Sequence, residues 1–275
     1  NVAGTYDLNQ GTAAAAFIDG GGATTCTPNN LLSYTDNLNN AMLLWGRTDV
    51  NGVLGVMNPY THTVTENSGT VSKPKKAVEI IPGSGKLVVI TDTDIYVYSY
   101  SVPNVNTGIT ITATTNLINN LGGAILSLAC GSTTFGIASQ FNGTNHQILR
   151  FNPQVPGFYP TIIDPDSISL LASDYVGGRV FALMTSNAIN QYTYTTSLVT
   201  TPITFSPLPD EIDGLAFEPT TQILAMFGSN TGIFGVYLYS LSGATATQVA
   251  ALVNSPAIYP IALGFDPIVS GIVFA

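Results

Sequence analysis

The sequence predicts an all-β chain folded as a six-bladed β-propeller with four antiparallel strands per blade, and three observations carry that expectation. An apolar run, a turn residue and a second apolar run recur six times, with the turn at Asp36, Pro82, Cys130, Asp174, Glu218 and Asp266. The spacings are 46, 48, 44, 44 and 48 residues, and wrapping from Asp266 through the C-terminus to Asp36 gives 45, so the intervals account for all 275 residues. A period of roughly 40–50 residues built only from short strands is that of a propeller blade. Val, Ile, Thr, Tyr and Phe are abundant, turn residues recur about every 8–12 positions, and no long stretch keeps a helical period.

The whole chain, 1–275, is expected to form one domain. Its first blade is split, with 259–275 supplying strands at 261–265 and 271–275, and 1–18 supplying strands at 4–9 (GTYDLN) and 12–18. Two strands from each end thus close one sheet, which removes exposed edges. The second blade, about 31–69, takes 41–47 and 53–58 as its second and third strands. The third, about 75–116, takes 86–91 and 95–100 (IYVYSY). The fourth, 123–163, gives the clearest frame: inner strand 124–130 (AILSLAC), then 133–139, 147–152 and outer 159–163. The fifth, 167–205, reads 168–173, 179–185, 190–195 and 198–205. The sixth, 211–253, reads 212–217, 222–227, 234–241 and 247–253.

Composition narrows the classes of function. Hydrophobic residues make up 45% of the chain, ample for a core, while charged residues make up 8% against roughly 25% in an average soluble protein. Thr, Ser, Asn and Gly must therefore carry the surface, a bias that suits extracellular, cell-surface or virion-surface proteins. With net charge −9 and seven Lys plus Arg, only Lys73, Lys75 and Lys76 cluster, too few to hold a phosphate backbone. Nucleic acid is not an expected partner. Membrane insertion is not expected either, since no apolar run approaches the ~20 residues of a spanning helix. The chain opens at Asn1 without Met, and the expectation is a signal peptide already removed. Cys26 and Cys130 fall toward opposite faces of the predicted ring, which does not favour a disulfide.

The phrases 263–267 (LGFDP) and 215–219 (LAFEP) resemble the inner-strand signature of NHL-like and related six-bladed propellers. That resemblance implies a ring of six sheets around a central channel, with binding at one mouth. Enzymes, receptors and scaffolds all share such a ring.

Five carboxylates form the sharpest candidate site. Asp164 and Asp166 (IDPDS) and Asp210, Glu211 and Asp213 (PDEIDG) occupy loops entering inner strands of adjacent blades, and so are expected on one face. With few cations nearby they suggest a hard-cation site, Ca²⁺ being the candidate cofactor; the alternative is a solvated acidic rim. Asp36, Asp174, Glu218 and Asp266 read either as an acidic ring or, better, as turn formers at a repeated corner. Asp92 and Asp94 read as an ordinary hairpin.

His62 and His146 are the only histidines, and both fall on outer parts of blades, leaving a nucleophilic triad without a central base. Arg47, Arg150 and Arg179 do not make a sialidase triad, because no S-x-D-x-G-x-T-W box is present. Asn142-Gly143-Thr144 is the one glycosylation sequon, with Asn142 as acceptor. Trp45, Tyr96, Tyr98 and Tyr100 read as packing between blades rather than a sugar platform.

Two functions follow as expectations. The first is a non-enzymatic surface propeller that binds a protein partner, copies of itself or a glycan, its weakly charged exterior suiting close self-packing in a filament, surface layer or virion decoration. The alternative is a lactonase- or lyase-like enzyme with Ca²⁺ at an acidic channel mouth.

Overall fold

A computed structural model describes residues 2–6, 13–17, 28–35, 41–47, 54–57, 64–67, 77–81, 86–90, 94–101, 110–118, 123–163, 166–253, 263–265 and 272–274, with side chains over 86–89, 94–101, 110–115, 123–155 and 166–251. All the regular structure among these residues is strand. The chain divides into two compact units, one of Asn1–Leu121 with Ile261–Ala275 and the other of Gly122–Pro260.

The first unit contains β1 (Val2–Tyr6), β2 (Ala13–Phe17), β3 (Pro28–Thr35), β4 (Ala41–Arg47), β5 (Leu54–Met57), β6 (Val64–Asn67), β7 (Ala77–Ile81), β8 (Lys86–Ile90), β9 (Ile95–Tyr100) and β10 (Ile111–Ile118). The last two strands of the chain, β23 (Leu263–Phe265) and β24 (Ile272–Phe274), belong to it as well. Three four-stranded sheets result, in the orders β2-β1-β24-β23, β3-β4-β5-β6 and β10-β9-β8-β7. In the first of them β1 runs antiparallel to β24, with Gly4 opposite Phe274 and Tyr6 opposite Ile272. β1 starts and ends earlier than the expected 4–9, and β2 falls within 12–18, but the two-plus-two pairing is the expected one.

The second unit contains β11 (Ala124–Ser132), β12 (Phe135–Phe141), β13 (His146–Asn152), β14 (Val155–Ile163), β15 (Ile168–Asp174), β16 (Arg179–Met184), β17 (Ile189–Tyr194) and β18 (Leu198–Ser206). It continues with β19 (Glu211–Glu218), β20 (Ile223–Asn230), β21 (Ile233–Ser242) and β22 (Thr245–Val253). β11 to β14 form one antiparallel sheet, and the rest form an eight-stranded sheet, β15-β16-β17-β18-β22-β21-β20-β19. Two antiparallel groups of four are joined there by a parallel pairing of β18 with β22, Thr204 opposite Thr245 and Ser206 opposite Thr247. The repeat spacing did not predict this join. Uncharged, Thr-rich edges leave backbone groups that another strand can satisfy, and Thr204 N–H donates to Ala244 O at 2.9 Å.

The middle strands β12, β16 and β20 are buried almost end to end, on both faces, and build the core. Ala129, Ile137, Ile148, Val180, Ala182 and Tyr192 pack between the first and second groups of four. Phe181, Leu183, Phe217, Leu224, Met226 and Tyr239 pack between the second and third, with the Phe181 and Phe217 rings 4.7 Å apart. Each such large apolar side chain contributes about 1.5–3 kcal/mol on leaving water.

A second regularity lies in the inner strands. β11, β15 and β19 each carry a register shift near their start, which leaves Leu126, Ser169 and Asp213 outside the ladder. β3 has the same shift around Asn29. Bulges of this kind turn one side chain away from its neighbours, and Leu126, Ser169 and Asp213 are all exposed beside buried residues.

Candidate functional site

At the end of the inner strands β15 and β19, acids recur for the sake of the turn. Asp174 is fully buried and accepts hydrogen bonds from Gly177 N–H at 2.8 Å and Arg179 Nε at 2.6 Å. Glu218 does the equivalent job 44 residues later, accepting from Thr220 N–H, from Thr221 N–H and from the Thr221 hydroxyl. Both turns close with a positive φ, 65° at Gly178 and 58° at Gln222, so a carboxylate that ties down the turn's amides recurs with the corner. Asp36 and Asp266 lie outside the described residues.

Arg179 gathers this end of the unit. Its Nη1 donates to Gln191 Oε1 at 3.1 Å and its Nη2 to Gln222 Oε1 at 2.7 Å, in the next group of strands. The guanidinium also lies 5.2 Å from the Phe181 ring and 5.4 Å from Phe217, so charge, fork geometry and aromatic faces are all engaged. The sequence set Arg179 aside as a member of a sialidase triad and did not mark this structural use.

At the opposite end of the same strands lies the acidic candidate. Asp166 accepts from the hydroxyls of Thr185 and Ser186 and from Ser186 N–H at 3.1 Å. Slight burial pushes its carboxyl up, yet these hydrogen bonds outweigh that and hold it below the ordinary value. The same turn sends the Asn187 amide to the backbone carbonyl of Asp210, whose carboxylate takes Thr231 N–H at 2.7 Å. The turn at Ser186 and Asn187 thus ties the loop of Asp166 to that of Asp210 by hydrogen bonds. Glu211 accepts weakly from Ser229 Oγ at 3.5 Å.

Asp213, the bulge residue, stands apart from this lattice. Desolvation first, and the negative charge of Glu211 second, raise its carboxyl above the ordinary value. Among the described residues no three Asp, Glu, His or Cys side chains gather into a metal-binding set, and Asp164 lies outside them. With Leu126 41% exposed and Ser169 donating to Leu183 O at 3.1 Å, the bulges present one apolar, one hydroxyl and one acidic residue. Their spacings, 43 and 44 residues, follow the repeat, which is the signal that could have found them.

The remaining predicted residues are dispersed. Asn142 is exposed on the β12–β13 hairpin. His146 opens β13 with its ring 4.8 Å from Phe141. Arg150 lies 3.9 Å over the Tyr194 ring, which itself stacks on Phe135. Tyr98 is 2% exposed, and burial, helped by Tyr96, pushes its phenol up to about 12; this tyrosine is packing material. Asp94 is buried and takes the Tyr96 hydroxyl at 3.3 Å. Cys130 is buried. Asp92, His62 and Cys26, and the side chains of Trp45 and Arg47, lie outside the described residues.

No family model and no curated protein matches the chain. Solved structures do. The β-propeller domain of Cps50 (Swd1) from Myceliophteria thermophila has a TM-score of 0.60 at 10% identity, over 98% of this chain and 90% of that one. A luciferin-regenerating enzyme gives 0.58 at 12% identity, over 86% and 79%. A chain of the mitotic checkpoint complex gives 0.55 at 13% identity, over 100% and 83%. At these identities the likeness is one of fold, and the fold is that of a β-propeller.

Proposed function

We propose that this chain is a six-bladed β-propeller of the NHL-like kind that works without catalysis, as a binding or self-assembling subunit at a cell or virion surface. The observation that carries the proposal is the division of labour among polar groups. Asp166, Asp174, Asp210 and Glu218 are committed to turns, while the bulges turn Leu126, Ser169 and Asp213 outward. A surface built of rigid, outward-turned side chains on packed strands suits contact with a partner. Copies of the chain are the favoured partner, because a chain with only 8% charged residues meets little repulsion on self-association; another protein or a glycan would use the same face.

The test is sedimentation of the purified chain over a wide concentration range, with electron microscopy of the densest fraction. Ordered polymers or arrays are expected, and substituting Leu126→Glu should dissolve them. A chain that stays monomeric at every concentration removes self-assembly from the proposal.

A second reading rests on Asp213, whose raised carboxyl beside Glu211 is a pair that a divalent cation would relieve. A Ca²⁺-assisted lactonase or lyase would show a calcium-dependent rise in melting temperature. Asp213→Asn should abolish that rise, and one that survives it places any calcium elsewhere.

A further inference from the structure

We infer that Asn142-Gly143 is a self-modifying site, at which Asn142 converts to aspartate and isoaspartate through a cyclic imide without any enzyme. The pair sits on the exposed hairpin between β12 and β13. Gly143 adopts φ +91°, with nothing within 4 Å of where a Cβ would stand. Its amide nitrogen therefore carries no steric shield on the side-chain side. Next to it, Asn142 Oδ1 accepts two backbone N–H groups, from Thr144 at 3.0 Å and from Asn145 at 2.8 Å. Two donors on one carbonyl oxygen draw electrons from Cγ and stand where negative charge develops when a nucleophile adds there.

The step balances with water as its only co-reactant. Gly143 N gives its proton to solvent and bonds to Cγ, placing an oxyanion on Oδ1 against the two N–H groups. The Cγ–Nδ2 bond then breaks, and Nδ2 leaves as ammonia with a proton from water. Water opens the resulting five-membered imide at one of its two carbonyls. Cleavage between Cγ and Gly143 N leaves an aspartate on a normal backbone. Cleavage at the former Asn142 main-chain carbonyl leaves isoaspartate, with the chain running through Cγ.

The second of these products adds a methylene to a hairpin whose Asn142 N–H bonds to Asn145 O at 3.2 Å. Either product adds one carboxylate to a surface poor in charge. A glycan on Nδ2 of the same residue would block the reaction, so the sequon and the imide compete for one nitrogen.

The unit contains its own control. Asn152 also accepts a backbone N–H on Oδ1, from Gln154 at 2.9 Å, but Pro153 follows it and has no N–H to become a nucleophile. The experiment keeps the purified, unglycosylated full chain folded in mildly alkaline buffer at physiological temperature and follows its peptides by mass spectrometry. The expected result is the mass gain of amide-to-acid conversion at Asn142, split between two chromatographic forms, with the Asn152 amide retained. A parallel sample unfolded in urea supplies the overturning outcome: if Asn142 converts there and keeps its amide in the folded chain, the hairpin protects the site and the inference fails.

Discussion

At the β19–β20 hairpin the Glu218 carboxylate is 5% exposed and takes hydrogen bonds from Thr220 and Thr221. Burial alone would raise its carboxyl, but those hydrogen bonds outweigh burial and hold it below the ordinary value near 4.5. A carboxyl lower in the folded than in the unfolded chain contributes stability above about pH 4.5 that is lost as pH falls through the folded value. Urea unfolding at a series of pH values should show wild-type stability dropping below that point. Glu218→Gln should start lower and fall less over the same window; parallel curves would assign the acid sensitivity elsewhere. Asp174 raises the stakes, because removing it leaves a guanidinium that is 16% exposed with only the neutral amides of Gln191 and Gln222 as hydrogen-bond partners among the described residues. Asp174→Ala should cost about 3 kcal/mol, near the low end for breaking a buried pair, with Asp174→Asn milder because the amide still accepts from Gly177 N–H. Both acids were legible as recurring turn residues. Arg179 was not, since its tie to Gln222 spans 43 residues and nothing in the local sequence marks it.

Most elements were legible to within a residue or two, though β14 starts at Val155, four residues before the expected 159. β4 and β9 coincide with 41–47 and 95–100. The error in β12 is instructive: 133–134 read as strand because Thr favours it, yet Thr134 N–H bonds to Ser132 Oγ at 3.3 Å and the pair makes the turn. Bulges and the β18–β22 join stayed hidden, because both depend on which backbone groups meet across a sheet. The β20–β21 hairpin shows local chemistry that the fold overrides. Its two-residue loop places Thr231 at φ 52° and Gly232 at φ 77°, a conformation that suits Asn-Gly and strains a β-branched residue. Thr231→Asn should keep the backbone N–H to Asp210 and stabilise the chain by about 1 kcal/mol, the cost of holding an unsuited residue there. Thermal unfolding reads the gain; no rise in melting temperature would mean that the Thr231 hydroxyl, which donates to Asn230 O at 2.8 Å, already offsets the strain.

At the scale of the whole molecule the informative pairing is that of β1 with β24, because it ties residues from the two ends of the chain into one sheet. β1 also carries β2 on its other edge, Val2 opposite Phe17 and Tyr6 opposite Ala13. Removing 2–6 would leave β2 without a partner and expose the backbone of β24 along its length, two losses from one deletion. Closing contacts between chain ends are also the costliest to form in a folding chain, since the loop they close is the longest one. Their stabilisation must therefore come from the paired sheet. Deleting 2–6 should remove a large share of the roughly 5–15 kcal/mol that keeps a domain folded, and amide exchange at 272–274 should lose its protection before the rest of the chain does. A truncated chain with wild-type stability would show that this sheet forms without its N-terminal strands. The split first repeat, which the 45-residue wrap from Asp266 to Asp36 makes legible, would then be an accident of spacing and not the way the fold is held.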